Sequence, residues 1–483
     1  MRRLAAIASC LCSLGLSSGG ALAVPAGPTA QVVNPTRARL ERDLTELASW
    51  VDGNGGRLSA AFAHARGGAP VAMRSAERPQ NPASVLKLLT ALTALEVLGP
   101  AHRFRTRVRG VITDGVAPRL VLVGDGDPSL DTKDIDGLVV TLVGLGLTRV
   151  DGDILVDQSH FDAQLLPPGF EARPKEAAAF RAAVSPVSLA QNAITVNVAP
   201  AAEGKAARVW LTPAGVASLE GGVRTAKVGS GQKVGLTVTQ AGQRLRVRVS
   251  GAVAEGHPIV RLRRRVDDPT ATAGRYLLAA LGRAGVRVSG AVVMGSGAEP
   301  ILAEHQSADL SVLIHALGKR SDNFTAEALL KAIGGRRTGS AGASSDGADA
   351  ILGLLRRHGP LEPATRIRNG SGLYDGGNVS ANAVVRALVA AHGDARLSSE
   401  FLAHLAVGGV DGTLAGRFQS HAAARSIRAK TGTLAQVTAL AGYLVPPAGE
   451  PLAFAVLIEG KVPQAEARAR IDRLVSRALA STP

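Results

Sequence analysis

The feature that most constrains the fold is a helix-like stretch, Asn81 to Gly99, that is apolar on every face. Its large aliphatic residues are Leu86, Leu88, Leu89, Leu92, Leu95, Val97 and Leu98. A helix without a polar face is buried in the interior of a protein. The stretch nevertheless carries a serine and a lysine, Ser84 and Lys87, whose spacing of three residues places them on the same face of a helix.

Ser84 and Lys87 have two interpretations. In the structural one, Ser84 caps the helix near Pro82 and Lys87 extends its ammonium group to the rim of the fold. In the chemical one, burial disfavours the charged ammonium, so the pKa of Lys87 falls and its neutral amine acts as a general base toward the Ser84 hydroxyl. Because Ser-x-x-Lys is common by itself, the choice depends on the rest of the chain.

Two further triplets stand where they could meet this pair. Lys430-Thr431-Gly432 lies in a strand-like stretch, where the glycine lets another segment approach closely. Ser321-Asp322-Asn323 lies between two helical stretches. Each also has a purely structural interpretation, the first as an ordinary edge strand and the second as a helix cap.

The N-terminus predicts an exported protein. Arg2 and Arg3 precede the mostly apolar stretch Leu4–Leu16, and Ala21-Leu22-Ala23 forms a small-x-small cleavage site, so we predict an export signal over residues 1–23. Both cysteines, Cys10 and Cys12, fall inside it, which leaves no disulfide in the mature chain. Lipoprotein-type cleavage before Cys10 is an alternative. No later stretch has the roughly 20 apolar residues of a membrane span, so we expect a soluble periplasmic protein with no transmembrane segment.

Charge and ligand patterns narrow the function further. The formal net charge of +16 would suit nucleic acid, but export argues against that partner. An anionic envelope polymer or an ordinary solvated surface fits better. The histidines show no zinc-peptidase spacing, and Asp125–Asp136 lacks the sixth-position glycine and the terminal glutamate of a calcium loop. We therefore predict no metal and no cofactor.

The 483 residues are enough for roughly three domains at about 150 residues each. After Gly99 short alternating strands dominate to about residue 264, as in "RLRVRVSGAV", where arginines alternate with apolar residues. Helices return from Asp267, and the chain closes with the strands "SIRAKTGTL", "VTALAGYLVP" and "PLAFAVLIEG" and a terminal helix. Helices packed over an antiparallel sheet are expected.

Together the three motifs favour the chemical interpretation. Ser-x-x-Lys, Ser-Asp-Asn and Lys-Thr-Gly, in this order, are the signature of penicillin-binding proteins and class A β-lactamases. The chain also resembles the class C low-molecular-mass penicillin-binding proteins, the D-alanyl-D-alanine carboxypeptidase/endopeptidase family. The resemblance runs through "NPASVLKLLTALTALEVLG", "LVGDGDPSL", "ILVDQSHFD", "AVSPVSLAQNAITVNVAP", "RSDNFTAEALLKAIGG", "NGSGLYDGGNVSA", "GGVDGTLAGRF" and "AKTGTL". Asn369 departs from it, since relatives are expected to carry an aspartate there.

The resemblance implies an α+β fold, a penicillin-binding/β-lactamase-like transpeptidase domain with a five-stranded antiparallel sheet flanked by helices. The gap from Lys87 to Ser321 (321 − 87 = 234 residues) matches the family's habit of inserting extra domains at this point. We therefore expect the transpeptidase domain to be formed by residues 24–100 and 265–483, and one or two β-rich inserted domains by residues 101–264.

The resemblance also implies roles for the motif residues. Ser84 would attack the substrate carbonyl, with Lys87 accepting its proton and Asn323 contacting both Lys87 and the substrate amide. Ser321 and Lys430 would pass a proton to the leaving amine. Thr431, Gly432 and Thr433 would line the substrate-binding strand: the threonine hydroxyls would bind the substrate carboxylate with Lys430, and the Thr433 and Ser84 N–H groups would form the oxyanion hole.

The implied substrates are peptidoglycan stem peptides and cross-links, and β-lactams are the implied covalent inhibitors. Two alternatives stay open at this point. A β-lactamase or esterase would use the same serine, although the long insertion is unlike those enzymes. A non-catalytic envelope-binding protein would instead leave Ser84 without a function.

Overall fold

The computed structural model describes residues 35–241, 244–420, 423–446 and 450–480. The predicted export signal, with both cysteines, lies outside the described residues. Within them, no helix has the length and apolar character needed to cross a lipid bilayer.

The helices and strands follow one another along the chain with few long connections. The helices are α1 (Pro35–Gly53), α2 (Leu86–Leu98), α3 (Thr132–Gly144), α4 (Pro269–Arg283), α5 (Leu310–Leu313), α6 (His315–Arg320), α7 (Asn323–Thr338), α8 (Ser344–Arg357), α9 (Ala381–Gly393), α10 (Ser398–His404) and α11 (Gln464–Ala480). The strands are β1 (Gly56–His64), β2 (Pro70–Arg74), β3 (Arg105–Gly110), β4 (Val116–Ala117), β5 (Leu120–Gly124), β6 (Arg149–Val150), β7 (Ile154–Asp157), β8 (Ala193–Ala199), β9 (Arg208–Thr212), β10 (Ala217–Gly221), β11 (Arg224–Ala226), β12 (Gln232–Ala241), β13 (Arg244–Ala254), β14 (Val260–Arg265), β15 (Arg287–Val288), β16 (Val292–Met294), β17 (Ile301–Gln306), β18 (Arg366–Ile367), β19 (Gly377–Asn378), β20 (Ala406–Val407), β21 (Ile427–Leu434), β22 (Val437–Leu444) and β23 (Leu452–Gly460).

The main sheet is antiparallel, with the strand order β2-β1-β23-β22-β21-β20. Five of its strands are long, and β20 adds a two-residue strand at the edge. Every residue of β22 is buried, and so are the first seven of β23. A strand buried on both faces reads as a continuous apolar run rather than an alternating one, as "VTALAGYL" and "LAFAVLI" do.

Helices cover both faces of this sheet. On one face α1 and α11 pack through residues such as Leu44 and Ile471. On the other face α2, α7, α8 and α9 share a large core. Helix α2 is buried continuously from Leu86 to Leu95, as its lack of a polar face predicts.

The inserted region is built around a mixed five-stranded sheet with the order β16-β7-β5-β3-β17. Helices α3 and α4 pack beside it, and smaller sheets contain β8–β14. The strands through which the chain enters and leaves are neighbours: Arg105 pairs with Gln306, and the Phe104 N–H donates to Ser307 Oγ at 3.0 Å.

This pairing bears on the second domain boundary. The return of helical pattern at Asp267 suggested that the transpeptidase domain resumes near residue 265. However, α4 packs with the inserted sheets, and β16 and β17 complete their central sheet. We therefore propose that the inserted region extends from about 101 to about 307.

Candidate active site

The centre of the site is the pair predicted on the apolar helix. Ser84 lies in a single 3₁₀ turn, Ala83–Val85, that leads directly into α2, and Lys87 is the second residue of α2. The Lys87 Nζ donates to Ser84 Oγ at 3.0 Å, to Asn323 Oδ1 at 2.8 Å and to the Ser371 carbonyl oxygen at 2.7 Å. The lysine therefore does not extend to the rim: its side chain is 0% exposed.

The surroundings of Lys87 favour its neutral form. All three of its hydrogen-bond acceptors are neutral oxygens. Burial lowers the pKa of Lys87 from 10.5 to about 7, against the opposing pull of the Glu327 and Asp322 carboxylates. An amine with this pKa, within hydrogen-bonding distance of a hydroxyl, can act as its general base near neutral pH.

The three residues of the Ser321-Asp322-Asn323 triplet have different contacts. Asp322 is the N-cap of α7, where its Oδ1 accepts from the Thr325 N–H at 2.7 Å. Asn323 Oδ1 accepts from Lys87, and its Nδ2 donates to the Phe180 carbonyl oxygen at 3.2 Å. Ser321, half-buried, ends α6 in the left-handed region with φ 57°. One residue therefore caps a helix, as the structural interpretation expected, while its neighbour reaches the catalytic centre.

Strand β21, which carries Lys430-Thr431-Gly432, runs beside the 3₁₀ turn that contains Ser84. A Cβ at Gly432 would lie 2.6 Å from the Pro82 carbonyl oxygen and 3.3 Å from the Ala83 Cβ, so only glycine fits there without displacement. Thr431 Oγ1 donates to Thr413 Oγ1 at 3.0 Å, and Thr433 is exposed. The close approach predicted for the glycine is thus an approach to the segment that bears Ser84.

Lys430 is a second fully buried lysine of this site, 0% exposed. Its Nζ donates to the Thr431 carbonyl oxygen at 2.7 Å. Burial lowers the pKa of Lys430 well below its ordinary value, and the charge of nearby Lys87 lowers it further. A charged Lys87 therefore favours the neutral form of Lys430.

The sequence analysis missed two contributors to this centre. The Glu327 carboxylate, 1% exposed, accepts from the Gly370 N–H at 3.0 Å and the Ser371 N–H at 2.8 Å. It thereby fixes the loop whose Ser371 carbonyl accepts from Lys87. A signal was available: Glu327 follows Asn323 by four residues in α7, which places both on one face of that helix.

Asn369 begins this loop, and its contacts explain the departure from aspartate. Its Nδ2 donates to the Pro168 carbonyl oxygen at 2.9 Å and to the Leu373 carbonyl oxygen at 3.2 Å. Its Oδ1 accepts from the Gly372 N–H at 2.9 Å. Because an aspartate could not donate to the two carbonyls, the amide suits this site in this chain.

Across the described ranges, no three or more His, Cys, Asp or Glu side chains converge with the geometry of a metal site.

The chain is similar in sequence to known D-Ala-D-Ala carboxypeptidases. The model of the D-Ala-D-Ala carboxypeptidase 3 (S13) family matches residues 46–480. A D-alanyl-D-alanine carboxypeptidase from Actinomadura sp. (strain R39) is 36% identical over 406 residues, which are 78% of this chain and 73% of the relative.

Solved structures share the fold. Penicillin-binding protein 4 (dacB) from Haemophilus influenzae superposes with a TM-score of 0.75 at 23% identity, covering 90% of this chain and 98% of that one. A predatory endopeptidase from Bdellovibrio bacteriovorus, acylated by penicillin G, gives a TM-score of 0.51 at 16% identity, covering 88% and 92%. The predicted α+β penicillin-binding fold is thus confirmed. Since the family model covers nearly the whole described chain, the protein belongs to the D-Ala-D-Ala carboxypeptidase 3 (S13) family.

Proposed function

We propose that the protein cleaves peptidoglycan stem peptides as a serine-type D-Ala-D-Ala carboxypeptidase, and cross-links as a DD-endopeptidase. Membership of the S13 family makes it a serine-type hydrolase with carboxypeptidase relatives. The observation that carries the proposal is the contact of 3.0 Å between a fully buried lysine amine, Lys87, and the Ser84 hydroxyl.

In the first half of the reaction, Ser84 Oγ attacks the carbonyl carbon of the penultimate D-Ala while Lys87 Nζ takes the hydroxyl proton. The backbone N–H groups of Ser84 and Thr433 stabilise the developing oxyanion. Asn323 is held between Lys87 and the cleft, so its amide can both orient the lysine and bind the substrate backbone. The product of this half is an ester of Ser84.

Departure of the amine requires a proton. Ser321, together with Lys430, relays to the amine the proton that Lys87 took from Ser84, so Lys87 is neutral again for the second half. The free carboxylate of the terminal residue binds to the Lys430, Thr431 and Thr433 side chains along β21. Once the amine has left, a water molecule attacks the ester with Lys87 again as base, and free Ser84 returns. Protons balance over the cycle, since one water is consumed for each peptide bond cut.

β-Lactams are proposed as covalent inhibitors because their strained amide and adjacent carboxylate present the same pattern as a D-Ala-D-Ala end. One similar structure is described as acylated by penicillin G, and one Haemophilus influenzae structure is a complex with a β-lactam. We place the reaction in the periplasm, where an export signal would deliver the enzyme to its polymer.

Intact-mass spectrometry after incubation with benzylpenicillin tests the proposal. The expected result is one adduct per chain, which is lost in Ser84→Ala and kept in Ser340→Ala, an exposed serine that serves as the matched control. An adduct that survives Ser84→Ala refutes the assignment of the nucleophile. Rapid turnover of a chromogenic cephalosporin without a stable adduct would instead identify a β-lactamase.

A further inference from the structure

A cavity of about 700 Å³ opens between the inserted region and the helices that precede the Ser321 triplet. Lys133, Gln191 and Arg263 line its wall on the inserted side, and Ala316, Arg320 and Thr325 line the other. Its volume lies within the roughly 300–1,000 Å³ typical of ligand pockets. None of these residues takes part in the proposed acylation chemistry.

The cavity is adjacent to the catalytic centre. Arg320 and Thr325 flank the Ser321-Asp322-Asn323 triplet along the chain. Gln191 Nε2 donates to Asp322 Oδ1 at 3.3 Å, and Arg263 Nη2 donates to Gln191 Oε1 at 3.0 Å. The inserted region is therefore hydrogen-bonded to the triplet at the rim of this cavity.

Helix α6 places the cavity on the leaving-group side of the scissile bond. Its Lys319 Nζ donates to Asp411 Oδ2 at 2.7 Å. The turn that contains Asp411 also contains Thr413, whose hydroxyl accepts a hydrogen bond from the Thr431 hydroxyl on β21. In the proposed reaction Thr431 contacts the carboxylate of the leaving residue. Helix α6 thus contacts the turn beside Thr431 through Lys319, and its last residue, Arg320, lines the cavity, so α6 connects the two places.

The charged side chains that line the cavity have a cationic excess: Lys133, Arg263 and Arg320 are three cations, against the two carboxylates Asp131 and Asp134. Lys133 and Arg320 are exposed, and neither forms an ion pair with another residue in the described ranges. The acidic side chains of the same wall are already engaged in the cap of α3: Asp131 accepts from the Thr132 N–H at 2.7 Å, and Asp134 accepts from the Asp131 N–H at 2.8 Å. Asp134 also faces the His305 ring at 3.8 Å. The side chains of Lys133 and Arg320 are therefore available to pair with the carboxylates of a ligand.

We propose that this cavity binds the amine-side peptide of a cross-linked substrate, an anionic peptide whose carboxylates pair with Lys133 and Arg320. This inference rests on the proposed function and adds to it a subsite. The carboxypeptidase reaction releases a single amino acid, which ends at β21 and never reaches the cavity. The endopeptidase reaction releases a whole stem peptide, which fills it.

The test compares two charge reversals on the inserted region. Lys133→Glu removes the cation at the second residue of α3, where an acidic side chain is favoured by the helix dipole, so the variant should fold. Lys233→Glu, an exposed lysine on β12, is the matched control. Each variant is assayed for kcat/KM on a monomeric pentapeptide ending in D-Ala-D-Ala, for kcat/KM on a cross-linked muropeptide dimer, and for its rate of acylation by benzylpenicillin.

For Lys133→Glu we expect kcat/KM on the dimer to fall about tenfold or more, with changes below about twofold on the pentapeptide and in acylation, the size of effect that one close charge pair can have. Lys233→Glu should leave all three within about twofold. Equal losses on both substrates, or an unchanged rate on the dimer, overturn the subsite. A wild-type enzyme that cuts the pentapeptide but not the dimer overturns it as well, while the carboxypeptidase function stands. If the wild type is not acylated and cuts neither substrate, the proposed function itself fails.

Discussion

Two buried lysines, Lys87 on α2 and Lys331 on α7, show how burial can lead to different functions. Near the start of α7, Lys87 contacts Asn323 and two other neutral oxygens. Two turns further, Lys331, which is 1% exposed, donates to the Asp162 carboxylate of the inserted region and to the Gln164 carbonyl oxygen. Asn323, Glu327 and Lys331 are spaced by four residues, so one stripe of α7 joins both sites.

The comparison teaches that burial alone does not make a base. Burial lowers the pKa of both lysines. At Lys331 the hydrogen bond that its ammonium donates to Asp162 opposes this shift directly, whereas at Lys87 the carboxylates act only through space. An ammonium paired with a carboxylate keeps its proton and links two parts of the fold, as at Lys331. An ammonium without such a partner can lose its proton, and the neutral amine of Lys87 can then act as a base toward Ser84.

Of the substitutions that test this comparison, Lys87→Met should have the largest effect. Loss of a general base typically costs about 10²–10⁴-fold in rate, and we expect acylation by benzylpenicillin to slow by that factor. The time course of adduct formation by intact-mass spectrometry measures it. An acylation rate within about threefold of wild type would show that another group takes the Ser84 proton.

Lys331→Met should affect stability instead. Loss of the ammonium leaves Asp162 without its partner, and because that carboxylate is partly exposed we expect the free energy of unfolding to fall by about 1–3 kcal/mol in urea titrations. Acylation should stay within about threefold of wild type. Adding Asp162→Asn should restore part of the stability, since it removes the unpaired charge. A large loss of acylation in Lys331→Met would make the two lysines functionally equivalent.

Asn369→Asp probes the loop between the two lysines. The aspartate loses both donated hydrogen bonds and directs a carboxylate toward the Pro168 and Leu373 carbonyl oxygens. We expect a loss of about 1–2 kcal/mol in the free energy of unfolding, again measured in urea. The control is Asn378→Asp, the same substitution at a half-buried position on β19. Unchanged stability in Asn369→Asp would show that the amide is not needed at this position.

Glu327→Gln should give the smallest effect, a shift of a pH profile. Acylation needs neutral Lys87, so its rate should rise with pH through about 7 in the wild type. The Glu327 carboxylate raises the pKa of Lys87. Its removal should therefore move the rising limb of the acylation profile to lower pH. A profile that loses amplitude without moving would show that Glu327 only holds the loop in place.

Local sequence was sufficient to predict the parts of the site that depend on local geometry. Ser84 and Lys87 share a helical face by their spacing, and Gly432 is explained by the Pro82 carbonyl oxygen, which would lie 2.6 Å from a Cβ at that position. The catalytic and binding roles of all the predicted site residues stay predictions: Ser84, Lys87, Ser321, Asn323, Lys430, Thr431, Gly432 and Thr433. The Ser371 carbonyl was missed because a backbone acceptor has no sequence signal. Glu327 was missed despite its four-residue spacing from Asn323, because a glutamate in a helix is usually a solvated side chain.

The domain boundary illustrates the same limit. Helical periodicity after Asp267 was read correctly as α4, but periodicity cannot say which sheet a helix packs on. The proposed assignment of that segment to the inserted region rests on the pairing of β17 with β3, across roughly 200 residues.

The amino-acid sequence alone therefore determined the chemical groups, their order and the burial of the helix that carries the nucleophile, because these follow from residue type and short-range spacing. Tertiary structure decided which of the buried lysines meets neutral oxygens and which meets a carboxylate. Those contacts join Lys87 to Asn323 over 236 residues and Lys331 to Asp162 over 169. At such separations a partner is chosen by how the whole chain packs, and the pKa of each amine follows from that choice.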